Sequence, residues 1–135
     1  MGDAAYKADP APGPAPAFGT QSSYYNDAAA LYADPKIRLH YPAELFERVY
    51  VFAGGPFSAA LDVGTGTGQC AQQLALKYEQ VWGVDANEEQ LKQCKPHPNI
   101  QYHAGPAEST GVPSSSINLV TVATALHWYA RVQRA

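Results

Sequence analysis

The sequence predicts an α/β fold in which a parallel sheet carries helices on both faces. Short, mostly apolar runs at 59–63, 80–85, 100–104 and 117–123 alternate with helix-length segments and one polar loop. That order builds right-handed β–α–β crossovers. The runs are near-continuously apolar, as in strands covered on both faces. The first of them ends in a glycine-rich turn that leads straight into a helical segment.

The elements follow in order. Residues 1–20 are rich in Ala, Pro and Gly, with Pro10, Pro12, Pro14 and Pro16 at alternate positions. Such a stretch favours solvated, extended conformations, so a disordered tail is expected over 1–20 and one folded unit over 21–135. Tyr24, Tyr25, Ala28, Ala29, Leu31 and Tyr32 could form one face of a helix over Ser22–Tyr32 that Asp34-Pro35 ends. A second helix is expected from Ala43 to about Phe52, with Pro42 in its first turn and an apolar face of Leu45, Phe46, Val49 and Tyr50. Gly54-Gly55-Pro56 stops it. Then come a strand at Ala59–Val63, a helix at Gln69–Lys77, a strand at Gln80–Asp85 and a helix at Glu88–Lys95. Asn87 caps the last of these and Pro96 ends it. A third strand at Ile100–Ala104, a polar loop at Gly105–Ser116 and a fourth strand at Ile117–Ala123 complete the pattern.

Composition narrows the chemistry. The chain has 135 residues, 46% hydrophobic and 16% charged, with a formal net charge of −3, an ordinary balance for one globular domain. It has no run of Lys and Arg, hence no electrostatic footprint for nucleic acid or an anionic membrane. A small molecule is the expected partner. Cys70 and Cys94 lie 24 residues apart with no CxxC and no clustered His, so neither a disulfide framework nor a metal site is expected. The first residues lack a signal peptide's apolar segment, and no stretch has the apolar length of a membrane span. A cytoplasmic location is expected.

The turn after the first strand, Asp62-Val63-Gly64-Thr65-Gly66-Thr67-Gly68, has the marks of a ligand-binding device. Gly64 permits the tight turn, Gly66 lets a ligand approach the backbone, and Gly68 lets the helix start close to the sheet. The spacing is informative. A dinucleotide fingerprint counted from Gly64 would place its third glycine at position 69, which is Gln69; here it is Gly68. Asp85 ends the second strand 21 residues after Gly64, where an acid accepts hydrogen bonds from ribose hydroxyls.

With its acid two positions before the first glycine, this loop resembles motif I of the class I S-adenosylmethionine (SAM) dependent methyltransferases. Gly105-Pro106-Ala107-Glu108 after strand three, Asn118-Leu119-Val120-Thr121 in strand four, and the following Ala125-Leu126-His127-Trp128 extend the resemblance. It runs from about Tyr32 to Trp128 and is closest to the methyltransferase type 11, trans-aconitate methyltransferase-like branch. There a "Y…R..YP..L" stretch precedes motif I, matched by Tyr32, Arg38, Tyr41-Pro42 and Leu45.

The resemblance implies a Rossmann-like fold, SAM as cofactor and a small-molecule methyl acceptor. SAM carries an ammonium and a sulfonium, which an acid at Asp62 would favour and a pyrophosphate would not. The implied cofactor residues are Asp62, Gly64, Thr65, Gly66, Gly68, Asp85 with Ala86, and Ala107 with Glu108 beside the adenine. Tyr32 and Arg38 would close over the cofactor, or else pack and carry surface charge. His127 is the one candidate general base, a packing role being its alternative. Asn118 stands where the family usually has Asp, at a mostly structural position. The family continues past strand four with strands five to seven, which the 135 residues do not reach, so the chain reads as a fragment or short form. Two other readings stay open: a non-catalytic SAM-binding fragment, and an NAD(P)-linked oxidoreductase, which Gln69 and Asp62 disfavour.

Overall fold

The computed structural model describes residues 40–126. The proline-rich tail, the helix expected at Ser22–Tyr32, and the residues Tyr32, Arg38, His127 and Trp128 lie outside them. The described residues form α1 (Ala43–Ala53), β1 (Ala59–Val63), α2 (Gln69–Leu74), β2 (Gln80–Asp85), α3 (Glu88–Leu91), β3 (Ile100–Ala104) and β4 (Leu119–Thr121). All strand pairs are parallel, in the order β3-β2-β1-β4. The α/β class is as the sequence predicts, and the fourth strand pairs with the first.

The chain starts on β1 in the middle of the sheet, steps outward through β2 and β3, then returns to the other side of β1. That reversal opens a crevice above the carboxyl ends of β1 and β4, the place where open α/β sheets bind ligands. One face of the sheet is covered by α1 and α2. Phe46 and Tyr50 of α1 pack with Cys70, Ala71 and Leu74 of α2, and with Ala60, Tyr78, Val81 and Ile100. An aromatic chain runs through this layer: Tyr41 to Phe46, Phe46 to Tyr50, and Tyr50 to both Phe57 and Tyr78, with ring centroids 6.2–6.3 Å apart. The other face is thinner. Leu61, Val63 and Val84 are buried there against half-buried Trp82, Ala107, Val112, Ile117 and Val122, so the connection between β3 and β4 is its cover.

The first three strands have the limits the sequence predicts; the helices and β4 differ at their ends. The helix expected to reach Lys77 ends at Leu74, because Leu76 N donates to Gln73 O and Lys77 N to Leu74 O. These i→i−3 bonds tighten the last turn. The helix expected to reach Lys95 ends at Leu91 by the same device, Gln93 N bonding Gln90 O and Cys94 N bonding Leu91 O. Asn87 caps α3 as expected, its side chain accepting from Gln90 N at 3.1 Å. Pro42 precedes α1 as its N-cap with extended backbone and is not in the first turn. Gly54 closes α1 with a left-handed φ of 68°.

The fourth strand was expected over 117–123 and pairs only over Leu119–Thr121. At its start, Asn118 holds Ala59 from both sides: Asn118 N donates to Ala59 O at 2.9 Å, and Ala59 N donates to Asn118 Oδ1 at 3.0 Å. A side chain thus takes over from the backbone ladder. Past its end, Thr124 takes a left-handed φ of 56°, which breaks the extended run.

Candidate functional site

The loop between β1 and α2 is fixed before any ligand arrives. Val84 O accepts from Gly64 N at 2.8 Å and from Thr65 N at 3.0 Å, and Gly68 N donates to Thr65 O at 2.9 Å. Gly64, Gly66 and Gly68 have φ of 70°, 59° and 87°, a left-handed region that costs other L-residues about 1–2 kcal/mol. At Gly68 the need is also steric, since an added Cβ would lie 2.5 Å from the Tyr102 hydroxyl and 3.2 Å from Cys94 Sγ. Gly83 of β2 sits under the same ring, with Tyr102 carbons 2.8–2.9 Å from where its Cβ would be. Tyr102 therefore packs flat between two glycines on different elements, and its hydroxyl accepts from Gln72 Nε2 at 3.1 Å. Burial pushes that phenol up to about 12, so it stays protonated.

Asp85, at the tip of β2, ties the loop to the sheet. Its Oδ2 accepts from Gly66 N at 2.8 Å and its Oδ1 from Asn87 N at 2.8 Å. Each carboxylate oxygen has two lone pairs, so each retains one acceptor site. Asp85 is half-buried and Ala86 beside it is exposed, leaving that capacity within reach of a ligand. Gly105 N bonds Asp85 O at 3.0 Å, which brings the end of β3 to the same place.

Asp62 lies deeper, 1% exposed. Its Oδ1 accepts from Thr121 Oγ1 at 2.7 Å. Its Oδ2 and the hydroxyl oxygen of Thr65 are both buried with no partner in hydrogen-bond geometry among the described residues. Burial pushes the Asp62 carboxyl above the usual carboxylate range; the Thr121 hydroxyl partly offsets this, and the Asp85 carboxylate adds to it. Beside the loop, a groove of about 210 Å³ is lined by His40, Tyr41, Thr67, Gln69, Gln72, Gln73, Gln93 and Lys95.

The structure therefore brings together Asp62, Gly64, Thr65, Gly66, Gly68, Asp85 and Ala86. Ala107 packs on the opposite face of the sheet, against the layer of Leu61, Val63 and Val84. Glu108 is exposed. Sequence reasoning did not find Tyr102, Gly83, Cys70 or Thr121. The signals for Tyr102, Gly83 and Thr121 are strand pairings, in which Gly83 meets Tyr102 and Asp62 meets Thr121 in register; Cys70 sits on α2 and reaches Thr121 through its thiol.

A left-handed glycine loop pinned by a β2 acid, with a second, buried acid having one oxygen free, suits a ligand with ribose hydroxyls and a positive charge. Residues 61–135 match the family model described as a methyltransferase domain. A methyltransferase-family protein of Dictyostelium discoideum is 30% identical over 112 residues, covering 83% of this chain and 39% of that protein. A structure assigned as a type II methyltransferase from Anaeromyxobacter dehalogenans is 39% identical with a TM-score of 0.64, over 68% of this chain and 39% of that one. A methyltransferase structure from Methanococcus maripaludis shares the fold at 14% identity, with a TM-score of 0.63 over 84% of this chain and 53% of that one. The chain thus spans about two fifths of the length of the Dictyostelium relative. By the family match, the identity and the shared fold, the chain belongs to the class I SAM-dependent methyltransferases.

Proposed function

We propose that the loop from Asp62 to Gly68, with Asp85, holds SAM, and that the protein takes part in moving its methyl group to a small-molecule acceptor in the cytoplasm. The observation that carries this is the pairing of Asp85 with Gly66 N: it locks the glycine loop open and leaves one acceptor site on each carboxylate oxygen for the two ribose hydroxyls. Asp62 supports it. A buried carboxyl with an orphaned oxygen gains from a cationic donor, which SAM supplies and NAD's pyrophosphate does not. A phosphoethanolamine N-methyltransferase of Haemonchus contortus, solved with S-adenosylhomocysteine, has the same fold at 20% identity.

SAM supplies a methyl group already activated by the sulfonium. What remains for the protein is to align donor and acceptor and to exclude water. In the described residues this falls to the glycine loop, Asp85 and the start of the connection after β3. Ala107 and Glu108 stay proposals for the adenine side. Tyr32, Arg38 and His127 stay proposals for closure over the cofactor and for proton removal. Incubating the chain with methyl-labelled SAM and fractionated small metabolites tests the reading. Label should appear in a small-molecule fraction and vanish with Asp85→Ala. Tight SAM binding without any transfer would instead favour the non-catalytic, cofactor-binding form.

A further inference from the structure

We propose that Thr121 is a positioning residue for the cofactor's α-amino group: its hydroxyl holds Asp62 by Oδ1 and so turns Oδ2 over to the ligand. The proposal rests on the SAM reading of the loop and adds a specificity-determining pair to it.

The geometry is a relay across three elements. Asp62 of β1 and Thr121 of β4 are direct partners in the parallel register. Thr121 has a single hydroxyl hydrogen and places it on Asp62 Oδ1 at 2.7 Å. Its oxygen accepts from Cys70 Sγ of α2 at 3.5 Å. Burial pushes the Cys70 thiol up, so the thiol keeps the hydrogen it donates. Donation therefore runs from α2 through β4 to β1 and ends on one oxygen of a carboxyl that is 1% exposed. The other oxygen, Oδ2, has no partner in hydrogen-bond geometry among the described residues.

Among the described residues no cation compensates Asp62. The groups that act on it are the Thr121 and Thr65 hydroxyls, the Cys70 thiol and the Asp85 carboxylate, and the Tyr102 phenol feels its charge. A buried carboxyl so placed favours a ligand that brings both an N–H donor and a positive charge. The α-amino group of SAM is both; the sulfonium is a charge without a donor. S-adenosylhomocysteine retains the amino group and lacks the sulfonium, so it isolates the contact. 5′-Methylthioadenosine retains the nucleoside and lacks the amino acid.

Calorimetric titration of the full chain with these two compounds tests the pairing. Thr121→Val, which keeps the shape and removes the donor, should weaken S-adenosylhomocysteine about tenfold, the loss of one charge-assisted arrangement. It should leave 5′-methylthioadenosine within about twofold, and Thr121→Ser should restore the wild-type preference, since neither change touches the nucleoside contacts. Should the valine variant not fold, Asp62→Asn carries the test, because an amide in place of Oδ2 should lower affinity for S-adenosylhomocysteine selectively. Equal losses for both compounds, or unchanged S-adenosylhomocysteine affinity in either variant, would overturn the positioning role while leaving the cofactor reading intact. A wild-type chain that binds neither compound would overturn both.

Discussion

The two faces of the sheet are built to different standards. On the face under α1 and α2, ten of the described residues are buried in one layer, among them Leu74, Ala60, Ala71 and Val81 with no exposure. On the opposite face three of the described residues are buried, and loop side chains complete the cover. The cofactor loop grows out of the well-packed face: Asp62 follows Ala60 by two residues on β1, so the two point the same way, and Cys70 lies in the first turn of α2. The contrast teaches that the loop's geometry is borrowed from the densest part of the molecule. The β4 side, where family members continue the sheet, contributes one hydroxyl, that of Thr121, to Asp62.

The largest expected effect contrasts the two faces directly. Leu74→Ala removes a side chain with no exposed surface and should cost about 2–5 kcal/mol, whereas Val122→Ala, on the thin face, should cost about 1 kcal/mol or less. Denaturant unfolding of both variants measures this, and equal losses would break the comparison. Next is Gly68→Ala. Its left-handed φ and the Tyr102 hydroxyl 2.5 Å from the new methyl should together cost about 2–3 kcal/mol. Adding Tyr102→Phe should recover only part, because the ring carbon beneath that hydroxyl is 3.1 Å away. A melting series of the single and double variants reads the recovery.

These variants also show what was legible in the sequence. The limits of β1, β2 and β3 and the identity of the loop follow from local chemistry: apolar runs, a glycine spacing, an acid at a strand tip. The C-terminal ends of α2 and α3 were not legible, because a switch from i→i−4 to i→i−3 bonding leaves little trace in side-chain pattern. Nor was the length of β4, since Ile117 to Ala123 is mostly apolar and reads as one run, whereas the strand is cut short by Asn118 and Thr124. Tyr102, Gly83 and Thr121 join the site only through strand pairing, and one sequence does not state which residue faces which across a sheet.

Smaller effects sharpen the account at the β4 edge. Asn118→Ala removes the amide oxygen that accepts from Ala59 N and should cost about 1 kcal/mol, the usual net worth of one hydrogen bond. Hydrogen exchange at Leu119–Thr121 should rise before that of β2.

The Asp62 carboxyl gives a pH signature. Its folded value is raised by burial, so its contribution to stability is fully present below the ordinary carboxylate range and is lost as pH rises through the folded value. Asp62→Asn should therefore melt higher than wild type near neutral pH, and the gap should shrink on acidification towards about pH 4. The same change should weaken cofactor binding, a stability gain at the expense of the site. A wild-type melting temperature that does not fall between mildly acidic and neutral pH, relative to the variant, would contradict the buried, uncompensated state of this carboxyl.

The central claim is that the Asp62–Gly68 loop, pinned by Asp85, is a SAM site and not a dinucleotide site. Calorimetric titration of the wild-type chain with S-adenosylhomocysteine and with NAD, repeated with Asp85→Ala, tests it most directly. The account predicts binding of S-adenosylhomocysteine, none of NAD, and a loss of about 1–3 kcal/mol in the variant as the ribose hydroxyls lose their acceptors. Binding of NAD without S-adenosylhomocysteine, or an Asp85→Ala chain that binds as tightly as wild type, would contradict it.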